Sequence, residues 1–371
     1  MHSPMFTLEV FPPKRNAPVG TIYDTLDGLE GLNPDFISVT YGHGTHSDRT
    51  ATARIAHTIS KEYGIPAVAH LTALYSDKAK IDEALDMFEE AGVSAVLALR
   101  GDYIDGEQLV GEFNHASDLV SYIRSVKPDF KVFGACYPEG HYQADSLDQD
   151  IENLKIKVDA GVTHLISQLF YDNEDFYRFL DKARAAGITV PIEAGIMPVR
   201  GAKSVRRMAE RNASRIPDRL NTLLNKWGDD IQSLRAAGIL YASEQIADLV
   251  AHDVDGVHLL VQQGLPGTVE GMDPPGFGRD IQDLHPGGGF LGFDGVGAHG
   301  RVEHHGPAAP TGQSPGQAHL LPVVGAFFAR SPAVQLGNGD GQHDLGSSCL
   351  GMGATLARYR ASMTSMSSSR Q

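Results

Sequence analysis

The sequence predicts an α/β protein, a (β/α)8 TIM barrel over residues 1–260, followed over residues 261–371 by an irregular tail of different character. Short apolar runs alternate with amphipathic stretches from Met5 to about Leu259, and the runs number eight. Several of the helical stretches close on an Ala-Gly pair, Ala91-Gly92, Ala160-Gly161 and Ala186-Gly187. Glycine there can take the left-handed conformation that stops a helix, so strand, helix and stop recur as a unit. Eight such units in about 260 residues match the size of a TIM barrel.

The runs read as strands at Met5–Val10, Phe36–Tyr41, Ala67–Leu71, Ala95–Arg100, Val132–Tyr137, His164–Leu169, Pro191–Ile196 and Gly256–Leu259. Between them apolar residues recur at three- and four-residue spacing, as in Ile81, Leu85 and Phe88, or Leu154 and Val158 before Gly161. That spacing gives a helix one apolar stripe to lay on a sheet. Pro217–Asp253 is longer than one helix needs and reads as two, broken near Trp227-Gly228.

After Leu260 the composition changes. Of 41 glycines 22 fall in residues 261–371, with 9 of the 20 prolines, and the last lysine is Lys226. Only the apolar patch Leu320–Ala329 interrupts this composition, which raises the entropy cost of ordering beyond what so few apolar residues offset. The tail is expected to be largely disordered. Its doublet His304-His305 is the one candidate metal pair, and scattered histidines in such a tail are usually incidental, so no metal site is expected.

At 371 residues and 42% hydrophobic content the chain can bury a sizeable core. A formal charge of −15 argues against a sequence-independent grip on nucleic acid or anionic lipid, since both need a basic surface. Two cysteines, Cys136 and Cys349, encode neither a disulfide framework nor a CxxC metal site, which points to a reducing compartment. No apolar run approaches the roughly 18 residues of a membrane span, and no basic segment with a long apolar stretch opens the chain. A cytoplasmic protein with neither membrane nor nucleic-acid partner is expected.

Barrels of this type work at the C-terminal ends of their strands. A polar residue stands at nearly every such end: Glu9, Thr40-Tyr41-Gly42, His70-Leu71-Thr72, Arg100-Gly101-Asp102, Tyr137-Pro138-Glu139, Gln168, and the run Gly195-Ile196-Met197-Pro198. Any one of them can be an ordinary hydrogen-bonded strand end. Seven converging on one rim indicate a site. Glu9, between Leu8 and Val10, must face the barrel mouth or be buried at considerable cost. Desolvation there is expected to raise its pKa and make it a proton donor near neutral pH; the other reading is a structural carboxylate paired with an arginine. Arg100 beside Asp102 offers a donor fork next to an acceptor, suited to a heterocycle or phosphate, or else a surface salt bridge. No GxGxxG follows a strand and no GxxxxGK[ST] occurs, so a phosphate would be held by loops and side chains. Asp150, Asn153 and Lys157 align on one helix face, a row that on pattern alone is most often solvated.

Taken together, Phe6-Thr-Leu-Glu-Val-Phe-Pro-Pro-Lys14, Ile37-Ser-Val-Thr-Tyr-Gly42, His70-Leu-Thr72, Leu99-Arg-Gly-Asp102, Tyr137-Pro-Glu-Gly-His141, Lys157-Val-Asp-Ala-Gly161, Ile166-Ser-Gln-Leu-Phe-Tyr-Asp172 and Gly195-Ile-Met-Pro-Val199 form a collinear set. Over about residues 5–259 this set resembles methylenetetrahydrofolate reductase of the bacterial, barrel-only type.

The resemblance implies a barrel that holds FAD at its C-terminal rim and passes hydride from NADH or NADPH, through the flavin, to methylenetetrahydrofolate. By motif, Thr40, His70, Arg100, Gly101, Asp102, Ala116, Tyr137, His141, Asp150, Asn153 and Lys157 correspond to FAD contacts, with Lys157 meeting the flavin's negative charge. Glu9 corresponds to the general acid that assists opening of the methylene bridge to an iminium, Asp102 to a carboxylate near flavin and pterin, and Gln168 to a polar folate contact. The expected partners are this folate and further copies of the chain, in a flavoprotein oxidoreductase of one-carbon metabolism and methionine biosynthesis.

The sequence departs from the family pattern at three places. A family tyrosine after strand four is His115, and a glutamine after strand seven is Ser204. In strand eight, His258-Leu-Leu-Val-Gln-Gln-Gly264 replaces a Tyr-Thr-Met-Asn run, and the arginine and helix that follow it are absent from the pattern. Residues 261–371 therefore read as a sequence that replaced the family's ending, for example through a shifted reading frame, the alternative being a lineage-specific extension. Two other functions stay open on sequence: a flavin-binding chain whose altered end abolishes turnover, and a colourless barrel lyase using Glu9 as base. No lysine stands at a strand end to form a Schiff base for the latter.

Overall fold

The computed structural model describes residues 3–12, 20–29, 32–41 and 49–261. The expectations for the tail, including the Leu320–Ala329 patch, the His304-His305 doublet and the replaced ending of the barrel, lie outside the described residues.

Eight parallel strands close into a barrel in sequence order. They are β1 (Met5–Val10), β2 (Phe36–Val39), β3 (Ala67–Thr72), β4 (Ala95–Leu99), β5 (Lys131–Cys136), β6 (His164–Ser167), β7 (Ile192–Ile196) and β8 (Gly256–Leu260). All eight expected strands are present. β8, whose sequence departs most from the family pattern, still closes the ring: His258 is in register with Gly195 on β7 and with Thr7 on β1. Val257 and Leu259 are fully buried, which ties the strand into the apolar layer outside the barrel.

The helices are α1 (Gly20–Asp27), α2 (Arg49–Lys61), α3 (Lys78–Glu90), α4 (Ala116–Val126), α5 (Leu147–Asp159), α6 (Asn173–Ala185), α7 (Ala202–Asn212), α8 (Asp218–Trp227) and α9 (Ile231–Ala251). The break expected near Trp227-Gly228 is the junction of α8 and α9, where Asp230 caps the new helix by accepting the Ser233 N–H. Ile81, Leu85 and Phe88 are fully buried, as the stripe on α3 requires. Gly92, Gly161 and Gly187 all have positive φ, so the Ala-Gly pairs do end their helices in the left-handed conformation. Among the described residues no helix is long and apolar enough to cross a membrane.

The two-residue period of the strands sorts their side chains. Leu8, Val10, Ile37, Val39, Leu71 and Val96 face outward and join the helices in one continuous core. Phe36, Val68, Leu97, Phe133 and Ile166 face inward and form a separate cluster that plugs the barrel. Phe36 and Phe133 meet edge to face with centroids 5.2 Å apart. With the lower interior filled by side chains, as such barrels are, a ligand finds room only at the carboxyl ends of the strands.

Candidate active site

At those ends a cavity of about 230 Å³ opens, lined among others by Glu9, Thr40, His70, Arg100, Gly101, Asp102, Tyr137, His141 and Gln168. The alternation of the strands delivers the polar ones: Glu9 and His70 occupy inward positions on β1 and β3, directly above the apolar plug.

Glu9 is nearly buried, and its Oε2 lies 3.5 Å from both His70 Nε2 and His258 Nε2. Burial is the largest single influence on its carboxyl and pushes its pKa upward. The hydrogen bond from His258, the charges of His70 and His258 and the hydrogen bond from Ser38 together outweigh it, so the pKa lies below the ordinary value. This corrects the expectation that desolvation raises it. The arginine considered as a structural partner is replaced by two histidines. Burial drives His70 itself down to about 4, against the opposing pull of Glu9.

Two polar atoms on the cavity wall, Thr40 Oγ1 and His70 Nε2, are buried without a hydrogen-bond partner among the described residues. Asn212 Nδ2, at the end of α7, is a third. Buried polar groups are ordinarily satisfied, so these three atoms around one cavity are ones that could bond to a ligand.

After β4 the chain turns sharply. Gly101 has φ +86°, and a side chain there would come within 3.3 Å of Thr72 Cβ, so glycine brings the loop close to β3. Arg100 Nη1 donates to Gln143 Oε1 at 2.6 Å, and its guanidinium lies over the Tyr103 ring at 5.2 Å. Across the cavity Tyr137 meets His141 edge-on at 4.7 Å, and His141 stacks on Tyr142 at 4.6 Å, a wall of rings facing the space. Burial, then the charges of Arg100 and Lys157, push His141 down to about 4, which leaves it a neutral donor and acceptor at pH 7. Gln168 is held by its own Oε1, which accepts the Leu169 N–H at 2.9 Å.

The row on α5 divides. Asp150 accepts the His141 N–H at 3.1 Å, and Lys157 Nζ donates to Ala135 O at 2.7 Å, so both reach the end of β5 rather than a solvated face. Asn153 is exposed. Ala116 opens α4, where Asp118 accepts the backbone N–H groups of Asn114 and His115 at 2.9 Å each. Of these four, none lines the cavity itself. Ser204 donates to Gly201 O at 2.9 Å and serves its own helix start.

His258 lines the cavity and touches Glu9, yet it was not among the expected site residues. Its signal was the one that singled out Glu9, a polar side chain at an inward position of an apolar strand. Glu193 on β7 carries the same signal and is fully buried.

The family model described as methylenetetrahydrofolate reductase matches residues 1–263. Among curated relatives, methylenetetrahydrofolate reductase 1 of Schizosaccharomyces pombe is 36% identical over 258 residues, covering 68% of this chain and 43% of that protein. The 5,10-methylenetetrahydrofolate reductase of Pectobacterium carotovorum is 34% identical over 253 residues, covering 68% of this chain and 83% of the relative. For the Escherichia coli protein of the same name the values are 33% over 252 residues, 68% and 84%. The chain thus spans less than half the length of the yeast relative and most of the two bacterial ones. On this match and the barrel that carries it, the chain belongs to the methylenetetrahydrofolate reductase family.

Proposed function

We propose that the chain binds FAD at the barrel rim and reduces 5,10-methylenetetrahydrofolate to 5-methyltetrahydrofolate with a reduced nicotinamide as donor. The observation that carries this reading is the rim cavity itself, in which the nearly buried Glu9 stands beside the unsatisfied Thr40 Oγ1 and His70 Nε2. Family membership supplies the reaction class. The residues fit a flavin: Thr40 and His70 offer hydrogen bonds, Tyr137 and His141 a ring surface, and Arg100 positive charge for a diphosphate, with Lys157 behind the wall at the end of β5. Bound FAD would carry hydride between the nicotinamide and the folate.

The chain's own groups handle the proton and the orientation. Glu9 delivers a proton to the bridge nitrogen of the folate as the methylene bridge opens. Gln168 orients the pterin through its amide, and Asp102 provides a negative charge that favours the cationic iminium. The near-complete burial of Glu9 holds its carboxyl largely away from bulk water.

A visible spectrum of the purified protein, followed by anaerobic bleaching with NADH and with NADPH and then recovery on adding methylenetetrahydrofolate, tests the reading and names the donor. A colourless protein that takes up no FAD overturns it. Bleaching without folate-driven recovery would mark a flavin-binding chain that lacks folate turnover.

A further inference from the structure

Below Glu9 the barrel interior holds a second carboxylate, Glu193, with no exposure to solvent. A buried carboxylate is tolerated only when charged or hydrogen-bonding partners surround it. Glu193 Oε1 lies 2.5 Å from His164 Nε2, and Oε2 accepts the hydroxyl proton of Thr7. Thr7 has one proton to give. With that proton directed to Glu193, the Thr7 oxygen is left to accept, and His258 Nδ1 stands 2.7 Å from it. Nδ1 must then carry hydrogen. The opposite nitrogen, Nε2, faces Ser38 Oγ at 3.3 Å and Glu9 Oε2 at 3.5 Å. The other titratable groups facing this line are His70 on β3, 3.5 Å from Glu9, and His164 on β6 against Glu193, while His258 Nδ1 lies 3.9 Å from Glu193 itself.

We propose that Glu193 is a positioning residue for Glu9: through Thr7 it fixes His258 with Nδ1 protonated, so that Nε2 faces Glu9 and serves as the proton store behind it. The inference rests on the reading of Glu9 as the acid in folate reduction. The Glu9 carboxylate takes a proton from Nε2 of the protonated His258 and gives it to the folate nitrogen, as the bridging C–N bond breaks and its electron pair stays on that nitrogen. His258 is left as the neutral Nδ1–H imidazole, and a proton from water restores it. Thr7 and Glu193 exchange no proton in this cycle. They orient the ring, as a third group orients the base in a nucleophile–base pair.

The test reads the tautomer directly. In the full chain labelled with 15N-histidine, with His258 assigned from the signals lost in His258→Gln, the neutral ring is expected to be Nδ1–H. Thr7→Val keeps the shape and removes the hydroxyl, and should shift the ring to Nε2–H. The same variant should slow folate-driven flavin reoxidation by about tenfold or more, short of the roughly hundredfold to ten-thousandfold expected for loss of an acid. Bleaching by nicotinamide should be unchanged, and Thr7→Ser, which restores the hydroxyl, should recover both the tautomer and the rate. Glu193→Gln can donate to Thr7 instead of accepting from it, which frees the Thr7 proton for Nδ1 and favours the Nε2–H form. If Glu193→Gln does not fold, the wild-type spectrum and the Thr7 pair decide. An Nε2–H ring in the wild-type chain, or a tautomer indifferent to Thr7→Val, overturns the proposal. An Nδ1–H ring in a wild-type chain that cannot reduce the folate overturns the functional reading and leaves the tautomer assignment standing.

Discussion

His70 Nε2 stands 3.5 Å from Glu9 Oε2 with both side chains nearly withdrawn from water. Burial lowers the His70 pKa to about 4, while an unfolded histidine takes its proton near 6.5. Between those values the unfolded chain binds more protons than the folded one, so stability rises with pH across the window and falls on acidification. The slope is about 1.4 kcal/mol per pH unit, roughly 3 kcal/mol from pH 6.5 to 4. Glu9, whose pKa is lowered, adds to the same trend only below the ordinary carboxylate range. Urea unfolding at pH 7 and pH 5 should show about 2 kcal/mol of this loss, with a shallower slope in His70→Gln. An equally steep slope in that variant would show that the imidazole is not the group responsible.

On the proposed reading, Glu9→Gln should fold, hold flavin and be bleached by nicotinamide at the wild-type rate, because in that scheme only the folate step needs the proton. That step should slow by roughly a hundredfold to ten-thousandfold. Stopped-flow measurement of each half-reaction separates the two, and equal slowing of both would remove Glu9 from the acid's role.

Asp102→Asn removes a negative charge from the loop after β4 without changing its shape. The product should be a folded yellow protein with an altered flavin potential and weaker folate binding. If a redox titration and a folate titration both match the wild type, Asp102 is structural.

Much of this was legible in the sequence because two short-range rules govern a barrel of this kind. Strand residues alternate between plug and helix layer, so Glu9 among Leu8 and Val10 could only face inward. Glycine after a helix marks its end, so Gly92, Gly161 and Gly187 parsed the chain into units. What escaped is long-range. Nothing local to Glu9 says that His258, some 250 positions away, will sit beside it; closure of β8 against β1 brings them together and reverses the direction of the Glu9 pKa. The Glu193, Thr7 and His164 cluster is hidden for the same reason, since its members come from three different strands.

The packing of β6 against β7 yields the last prediction. A Cβ added at Gly195 would lie 2.2 Å from the Ser167 carbonyl oxygen, a backbone atom that cannot rotate aside. The Gly195 N–H also donates to Ser167 Oγ at 2.8 Å, and that hydroxyl donates in turn to Gln168 O at 3.0 Å. Ser167→Ala should remove the hydroxyl and leave a buried N–H unsatisfied, at about 1–3 kcal/mol. Gly195→Ala must instead push the strands apart, and overpacking against rigid backbone should cost at least the upper part of the usual range of about 1–3 kcal/mol. The separation would also displace Gln168 on the cavity wall, so folate affinity should fall with stability. Chemical denaturation ranks the two variants, and a Gly195→Ala protein as stable as Ser167→Ala would mean that β6 and β7 can separate at little cost.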